Sequence, residues 1–396
     1  MAAAPRPADT LKPIVIAGGG LVGALTALLV ARQRPDWIVT VLEPQASGPA
    51  QDKRTIALAA ATIDVLQQLQ VWPEVASAAC AIEHIHVSDR GHLGMTQLHA
   101  EQQGVPALGY VIAAAQLNQA LYQACLAQPN IEWLAGAWFS HSQPEQDSIA
   151  VHYQVADQPH VCHAQLLVGA DGSRSQVRSS AGIQMQQTDY QQVGIIAMLE
   201  LSEPMQGWAY ERFTDTGPLA LLPVSDQVAS LVWSLRPAEA EQMMAASDDE
   251  FMAKCQQAFG YRAGRLRKVW DRVQYPLQLH LAEQHIAQRL VLIGNASHTL
   301  HPIAGQGFNL GVRDAISLSQ QLATAADAGQ YRVLASYQRE RQSDYKAIIG
   351  LTDSLVRGFS NQLLPLVIGR NIALSALAWL LPLKQQFARK TMGYRN

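Results

Sequence analysis

The chain is poor in charge. Lys, Arg, Asp and Glu make up 15 % of its 396 residues, where an average soluble domain carries about 25 %. Hydrophobic residues make up 48 %, so part of the surface is expected to be covered by a partner or a membrane. Nucleic acid is excluded as that partner: net charge is −3, and no basic stripe is interleaved with aromatics. Cysteine is scarce too. Cys80, Cys125, Cys162 and Cys255 lie far apart, and no pair has metal-ligand spacing. That excludes a thiolate metal centre and fits a reducing compartment. No apolar run reaches the ~20 residues of a spanning helix; the longest, Ile372 to Leu383, is interrupted by Ser375 and Pro382. Met1 to Lys12 lacks the apolar core of a secretory signal. A cytoplasmic protein, peripheral on the inner membrane at most, is the expectation. Acid is missing altogether from Ser354 to Asn396, where Arg357, Arg370, Lys384, Arg389, Lys390 and Arg395 supply six positive charges. A basic, apolar, helix-prone tail suits an anionic membrane surface. A helical cover on the protein's own core, or a homo-oligomer contact, would have the same composition.

The most informative segment present runs from Gly294 to Gly311, GNASHTLHPIAGQGFNLG. An apolar strand, Leu290 to Ile293, precedes it and a helix-like run follows. A strand that breaks into small residues and then opens a helix points backbone N–H groups at one spot. That suits a phosphate or an electron-rich ring.

Two further motifs lie upstream. Pro13 to Ala17 reads as a buried parallel strand, followed by Gly18-Gly19-Gly20-Leu21-Val22-Gly23 and an Ala/Leu-rich helix. Gly18, Gly20 and Gly23 fit the dinucleotide fingerprint of tight turn, close pyrophosphate approach and helix–strand packing. A second strand, Trp37 to Leu42, ends at Glu43, placed to hold a ribose diol. The other motif is Gln165-Leu166-Leu167-Val168-Gly169-Ala170-Asp171-Gly172-Ser173-Arg174-Ser175-Gln176-Val177-Arg178. There Asp171 can accept from a sugar hydroxyl, Gly172 permits the turn, and Arg174 and Arg178 are spaced to share a helix face. A second complete dinucleotide fingerprint is absent.

The order of these three motifs resembles the single-component FAD-dependent aromatic hydroxylases, the family of para-hydroxybenzoate hydroxylase. Gly294 to Asp314 is most similar to the ubiquinone-biosynthesis branch. Supporting pieces are Asp52 to Leu58, Trp208 to Phe213, Gly217 to Pro223 and Phe387 to Gly393, so the resemblance covers nearly the whole chain. It implies noncovalent FAD, NADPH or NADH as a transient reductant, O2 as co-substrate, and oxygen transfer through a C4a-hydroperoxyflavin. It implies a polyprenylated phenol as substrate, taken from 2-polyprenyl-6-methoxyphenol to the 1,4-benzoquinol. A sibling hydroxylase at another ring position and a non-catalytic FAD-stabilised scaffold subunit are the alternatives. Association with a membrane surface or with other ubiquinone-biosynthesis proteins follows from the same resemblance.

The FAD-contacting set it implies is Gly18, Gly20, Gly23, Glu43, Arg54, Asp171, Gly172, Asn295, Pro302, Gly305, Gln306, Gly307, Phe308 and Asn309. Asn295 replaces the more common family Asp, keeping an acceptor without the charge. His301 and Pro302 are catalytic candidates at the ring, and His298 is expected to cap the turn. Trp208, Tyr210, Phe213, Leu219 and Leu221 are pocket candidates, although they could equally be sheet core. His84, His86, His92 and His99 lack an accompanying carboxylate or cysteine cluster and read as solvated strand histidines rather than metal ligands.

The expected fold is α/β, a Rossmann-type FAD-binding domain with an inserted antiparallel-sheet substrate domain and a helical C-terminal tail. FAD-binding parts are placed at 1–80, 114–181 and 277–330. The substrate domain is placed at 182–276, joined by 81–113, and a helical region at 331–396.

Overall fold

A computed structural model describes residues 11–49, 52–91, 94–299, 306–359, 389 and 392–394. Lys12–Ala17 lies at the centre of a parallel sheet, flanked by Val39–Glu43 and Gln158–Gly169. Ile131–Ala135 and Leu290–Leu292 extend it on either side, also in parallel. Ile14, Ile16, Val39, Val41, Leu166 and Val168 are wholly buried. Strands buried on both faces read as continuous apolar runs, which is why this sheet is visible in the sequence. Helices Leu21–Gln33, Ala114–Ala127 and Gln306–Leu322 share one core on one side of it.

The second sheet has eight strands, in the order His298–Thr299, Leu266–Ala282, Met185–Leu201, Val228–Leu235, Gly217–Pro223, Trp208–Thr214, His84–Asp89 and Met95–His99. All neighbours are antiparallel except Trp208–Thr214 with His84–Asp89. A three-stranded sheet of Thr55–Ala59, Gly109–Ala113 and Cys80–Ile82 sits between the two.

Two expected boundaries move. Residues 81–113 divide: 84–99 joins the large antiparallel sheet, but Gly109–Ala113 pairs with Thr55–Ala59. The border at 276 cuts a strand, since Leu266–Ala282 pairs with Met185–Leu201 from Leu266 to Ala282. Pro276 looks like a break, but its outer neighbour, His298–Thr299, pairs only at His280 and Leu281. A proline is tolerated where no ladder bond is required of its nitrogen.

The two faces of the antiparallel sheet differ. Leu219, Leu221, Leu231, Trp233, Ile195 and Leu199 pack with Phe251 and Phe259 of a helical cover, formed by Pro237–Ala245 and Asp248–Phe259. The other face turns to the nucleotide-binding half. Thr55 Oγ1 donates to Ser230 Oγ at 2.9 Å, and Ala209 and Leu222 pack with Leu108 and Val111.

Asp314 ties the last third of the chain together. Its Oδ2 accepts from Gly294 N at 2.9 Å and lies 2.7 Å from His298 Nε2. Its Oδ1 accepts from Arg341 Nε at 2.7 Å and Tyr345 OH at 2.6 Å. Asp314 and Arg341 are wholly buried. Burial alone would raise this carboxyl, but His298, Arg341 and the hydrogen bonds hold it well below the usual carboxylate range. His285 packs beside Tyr345, with Nδ1 2.7 Å from Ser297 Oγ. Burial pushes its imidazole down to about 4.

Asp314→Asn is expected to cost about 3 kcal/mol, because it removes one of the two carboxylates that pair with the buried Arg341, leaving Asp344 alone, and weakens the contact to His298; urea unfolding checks this. The pH dependence has a defined sign. A neutral buried histidine has a folded pKa below its unfolded value, so the unfolded chain binds the proton first. Burial likewise pushes His86 down to about 4. Stability is therefore expected to be level above about pH 6.5 and to fall between there and about 4. Asp314 adds its own loss only below the ordinary carboxylate range. Melting temperature against pH reads this directly, and His285→Asn should flatten part of the slope.

Candidate active site

Three chain segments meet at the carboxyl end of the parallel sheet. In the first, Gly18 N donates to Leu42 O at 2.8 Å, closing the turn after the central strand. A Cβ on Gly23 would lie 1.9 Å from Gly18 O, so the helix can approach the turn only without one. Gly20 is the N-cap of Leu21–Gln33, has no capping side chain, and has open space where a Cβ would stand. An uncapped helix start beside an open glycine is a place for a phosphate. Glu43 Oε2 accepts from Gly19 N at 2.7 Å and Oε1 from Gln45 N at 3.0 Å, which fixes the carboxylate at the strand end.

Gly19 was not distinguished by the fingerprint, yet it is constrained. A Cβ there would stand 2.4 Å from the Trp133 indole. Its partner comes from a strand more than a hundred residues away, so no local spacing signals it.

In the second segment Asp171 Oδ2 accepts from Gln176 N at 2.7 Å and Val177 N at 3.1 Å. Its Oδ1 is buried and has no partner. Gly172 turns the chain at φ +83°. Arg174 and Arg178 do not share a helix face. The helix starts only at Gln176, capped by Ser175, so Arg174 stays in the turn. Arg178 is buried and donates to Ala296 O at 2.9 Å, bracing the third segment.

That third segment is a single helical turn, Gly294–Ala296, with Asn295 exposed. Helix Gln306–Leu322 follows. Gly307 has open space around it and Phe308 packs on the core. Asn309 is buried and its side chain is spent on the protein. Its Oδ1 accepts from Ala59 N at 2.9 Å and Thr62 Oγ1 at 2.8 Å, and its Nδ2 donates to Ala57 O at 3.0 Å. It anchors the helix to the three-stranded sheet, a task that sequence reasoning assigned to cofactor contact. His301, Pro302 and Gly305 lie outside the described residues, as does the side chain of Gln306. His298 does not cap a backbone turn; it faces Asp314, and its Nδ1 is buried without a partner.

Arg54 is largely exposed and paired with Asp52, Nη2 to Oδ2 at 2.6 Å. It also stands close enough to Tyr275 to pull against the burial that pushes that phenol up to about 12.

The substrate candidates separate by face. Tyr210, Leu219 and Leu221 belong to the helix-backed core, and Trp208 packs against it and against His84. They face away from the nucleotide site. Strand alternation sends only Phe213 to the near side. The near face instead carries Val87, Ile196, Met198, Ala220, Leu222 and Val232, all half-buried. The more apolar face is the one that the helices cover, which favours the sheet-core alternative for Tyr210, Leu219 and Leu221. Of the strand histidines, His86 is buried rather than solvated, His84 and His99 are half-buried with their Nδ1 atoms 3.0 Å apart, and His92 lies outside the described residues.

Residues 12–351 match the FAD binding domain family model. The chain belongs to that family. It is 34 % identical over 393 residues to the ubiquinone hydroxylase UbiL of Rhodospirillum rubrum, covering 98 % of this chain and 90 % of that one. It is 32 % identical to the 3-demethoxyubiquinol 3-hydroxylase of Escherichia coli, covering 96 % and 98 %. Among solved structures, p-nitrophenol 4-monooxygenase PnpA of Pseudomonas putida superimposes with a TM-score of 0.79 at 18 % identity, over 98 % of this chain and all of that one. At that identity the likeness establishes the fold. FAD is the cofactor of this family, and the enzyme is an FAD-dependent aromatic monooxygenase.

The residues present fit FAD. The orphaned Asp171 Oδ1, the open space at Gly20 and the uncapped helix start are what a dinucleotide would fill. Glu43 and Asp171 would hold sugar hydroxyls, and the N–H groups after Gly20 the pyrophosphate. The start of Gln306–Leu322 would favour negative charge by ~0.3–1 kcal/mol. FAD, when bound, supplies the redox chemistry and the reaction with O2; the chain supplies position and dryness.

Asp171→Ala is expected to weaken FAD about 10- to 100-fold, the loss of a hydrogen bond to a charged group, and to fray the Gln176–Ser180 helix. Titration of flavin fluorescence against the apoprotein measures the first effect. An unchanged FAD affinity would show that the orphaned oxygen has no ligand to serve.

Proposed function

We propose that the protein hydroxylates the ring of a polyprenylated phenol in ubiquinone biosynthesis, taking 2-polyprenyl-6-methoxyphenol to the 1,4-benzoquinol. One O2 and one NADPH or NADH are consumed, one oxygen atom enters the ring, and the other leaves as water. The observation that carries this reading is the half-covered apolar face of the antiparallel sheet, turned toward the half of the chain that holds the nucleotide site. A prenylated ring needs such a face, and a small soluble phenol does not. The relatives named as ubiquinone hydroxylases support the pathway. Gly18, Gly20, Gly23, Glu43, Asp171, Gly172, Asn295 and Gly307 are assigned to FAD. Asn309 acts by anchoring the flavin-side helix.

A second reading places hydroxylation at a sibling position of the same ring. It is favoured by the Escherichia coli relative, whose name specifies the 3-position of 3-demethoxyubiquinol and whose identity is nearly as high. Lipid analysis of a deletion strain separates the two. Accumulation of 2-polyprenyl-6-methoxyphenol is expected, and a demethoxyubiquinol would move the assignment to the sibling step. An unaltered quinone profile would contradict both.

No helix among the described residues is long and apolar enough to cross a membrane. The acid-free segment 354–396, most of it outside the described residues, is assigned to an anionic lipid surface, where the substrate resides. Co-sedimentation with phosphatidylglycerol vesicles is expected at low salt and should weaken as salt rises. Binding that ignores lipid charge would leave the tail as a protein contact.

A further inference from the structure

Among the described residues, an acidic side chain in the middle of the near face of the antiparallel sheet makes no hydrogen bond or ion pair. Glu211 is in the middle of Trp208–Thr214. In register it lies opposite Ala220 on one side and Val87 on the other. Paired residues share a face, and so do residues two apart. Leu222 is therefore on Glu211's side; it pairs with Ser230, whose hydroxyl meets Thr55 of the nucleotide-binding half. The next residue, Arg212, turns the other way and donates to Phe259 O at 2.8 Å. Glu211 is half-buried among Val87, Ala209, Ala220 and Leu222.

An acid in such a place is costly as structure. It adds nothing to the sheet ladder, and no cation among the described residues pairs with it. Desolvation pushes its carboxyl up to about 7. On its face the other titratable groups include Asp89 of the adjoining strand and, across the sheet, Glu200 paired in register with Lys268, and Tyr275 with Arg54 beside it. No titratable residue is on the near face of Gly217–Pro223 or Val228–Leu235.

We propose that Glu211 is the general base that takes the proton from the phenolic oxygen of the substrate. This rests on the phenol reading above. The O–H bond breaks, the proton passes to a carboxylate oxygen of Glu211, and the electron pair stays on the phenolate. That charge makes the ring carbons nucleophilic toward the oxygen atom supplied by the FAD-dependent reaction. The proton returns to the same oxygen as the hydroxylated carbon gives its hydrogen to solvent as a proton and the ring becomes aromatic again. A base works best when its pKa approaches that of its partner. A phenol near ~10 is matched better by a desolvated carboxyl than by an ordinary one.

The test uses FAD-loaded, full-length protein without reductant, so that nothing turns over. A short-chain 2-prenyl-6-methoxyphenol is added and its phenolate absorbance is followed from about pH 6 to about 9, below the ~10 at which a free phenol ionises. The wild type should ionise the bound phenol well below the pH at which it ionises free in solution. Glu211→Gln should lose that shift, while Glu211→Asp keeps part of it. With reductant and O2, kcat/KM of the wild type should rise with pH through about 7, and Glu211→Gln should lose that inflection and about 10²-fold in rate. Flavin absorbance should be equal in all three proteins. Normal wild-type turnover with an unchanged ionisation and pH profile in Glu211→Gln would overturn the role of Glu211 alone. A wild type that neither binds nor oxidises the phenol would overturn the substrate reading, and this one with it.

Discussion

The buried carboxylate of Asp314 is the interaction on which the flavin side of this protein depends. Taking a charge out of water is expensive and is tolerated only when donors surround it. Here the donors come from three places in the chain: the Gly294 turn, the His298 strand, and Arg341 and Tyr345 of the last described helix. The charge needs all of them, so it holds all of them in one arrangement. Gly294 is thereby fixed at the end of a parallel strand, with Asn295 left exposed beside it. Arg178 adds a second brace from the Asp171 segment through Ala296 O. Two of the three segments that meet at the carboxyl end of the parallel sheet are thus joined by a hydrogen bond from a buried guanidinium.

The antiparallel sheet solves a different problem. A sheet apolar on both faces must cover both. Pro237–Ala245 and Asp248–Phe259 seal one face with Phe251 and Phe259. The other is only partly closed, by the three-stranded sheet at Ser230 and Leu222. The remainder, around Ile196, Ala220 and Val232, stays half-buried. A low charge content across the whole chain is consistent with an enzyme whose substrate is itself largely hydrocarbon, because such a ligand is gripped by area rather than by ions.

What could be read from the sequence was what is encoded locally. The turn at Gly18 to Gly23, Glu43 at the end of its strand and the Asp171-Gly172 turn are backbone geometries specified by neighbouring residues, and the structure brings them to one end of the parallel sheet. The sheet's continuous apolar strands were equally plain. What could not be read depends on partners far along the chain. Gly19 is constrained by Trp133. Asn309 looks like a cofactor ligand until Ala57, Ala59 and Thr62 are seen to claim its amide. The sequence leaves open whether Tyr210, Leu219 and Leu221 line a pocket or fill the sheet core, because it does not tell which face the helices cover; the structure puts them in the core. Pro276 read as an end because its open outer edge is a property of the sheet and not of the strand.

The most direct test of the whole account is the origin of the new oxygen. Purified protein loaded with FAD would be given a reduced nicotinamide, a prenylated methoxyphenol and isotopically heavy O2, and the product weighed by mass spectrometry. One heavy oxygen atom in the product hydroxyl is the predicted result. A product whose new oxygen comes from water, or oxidation of the nicotinamide with no oxygen entering the ring, would contradict it.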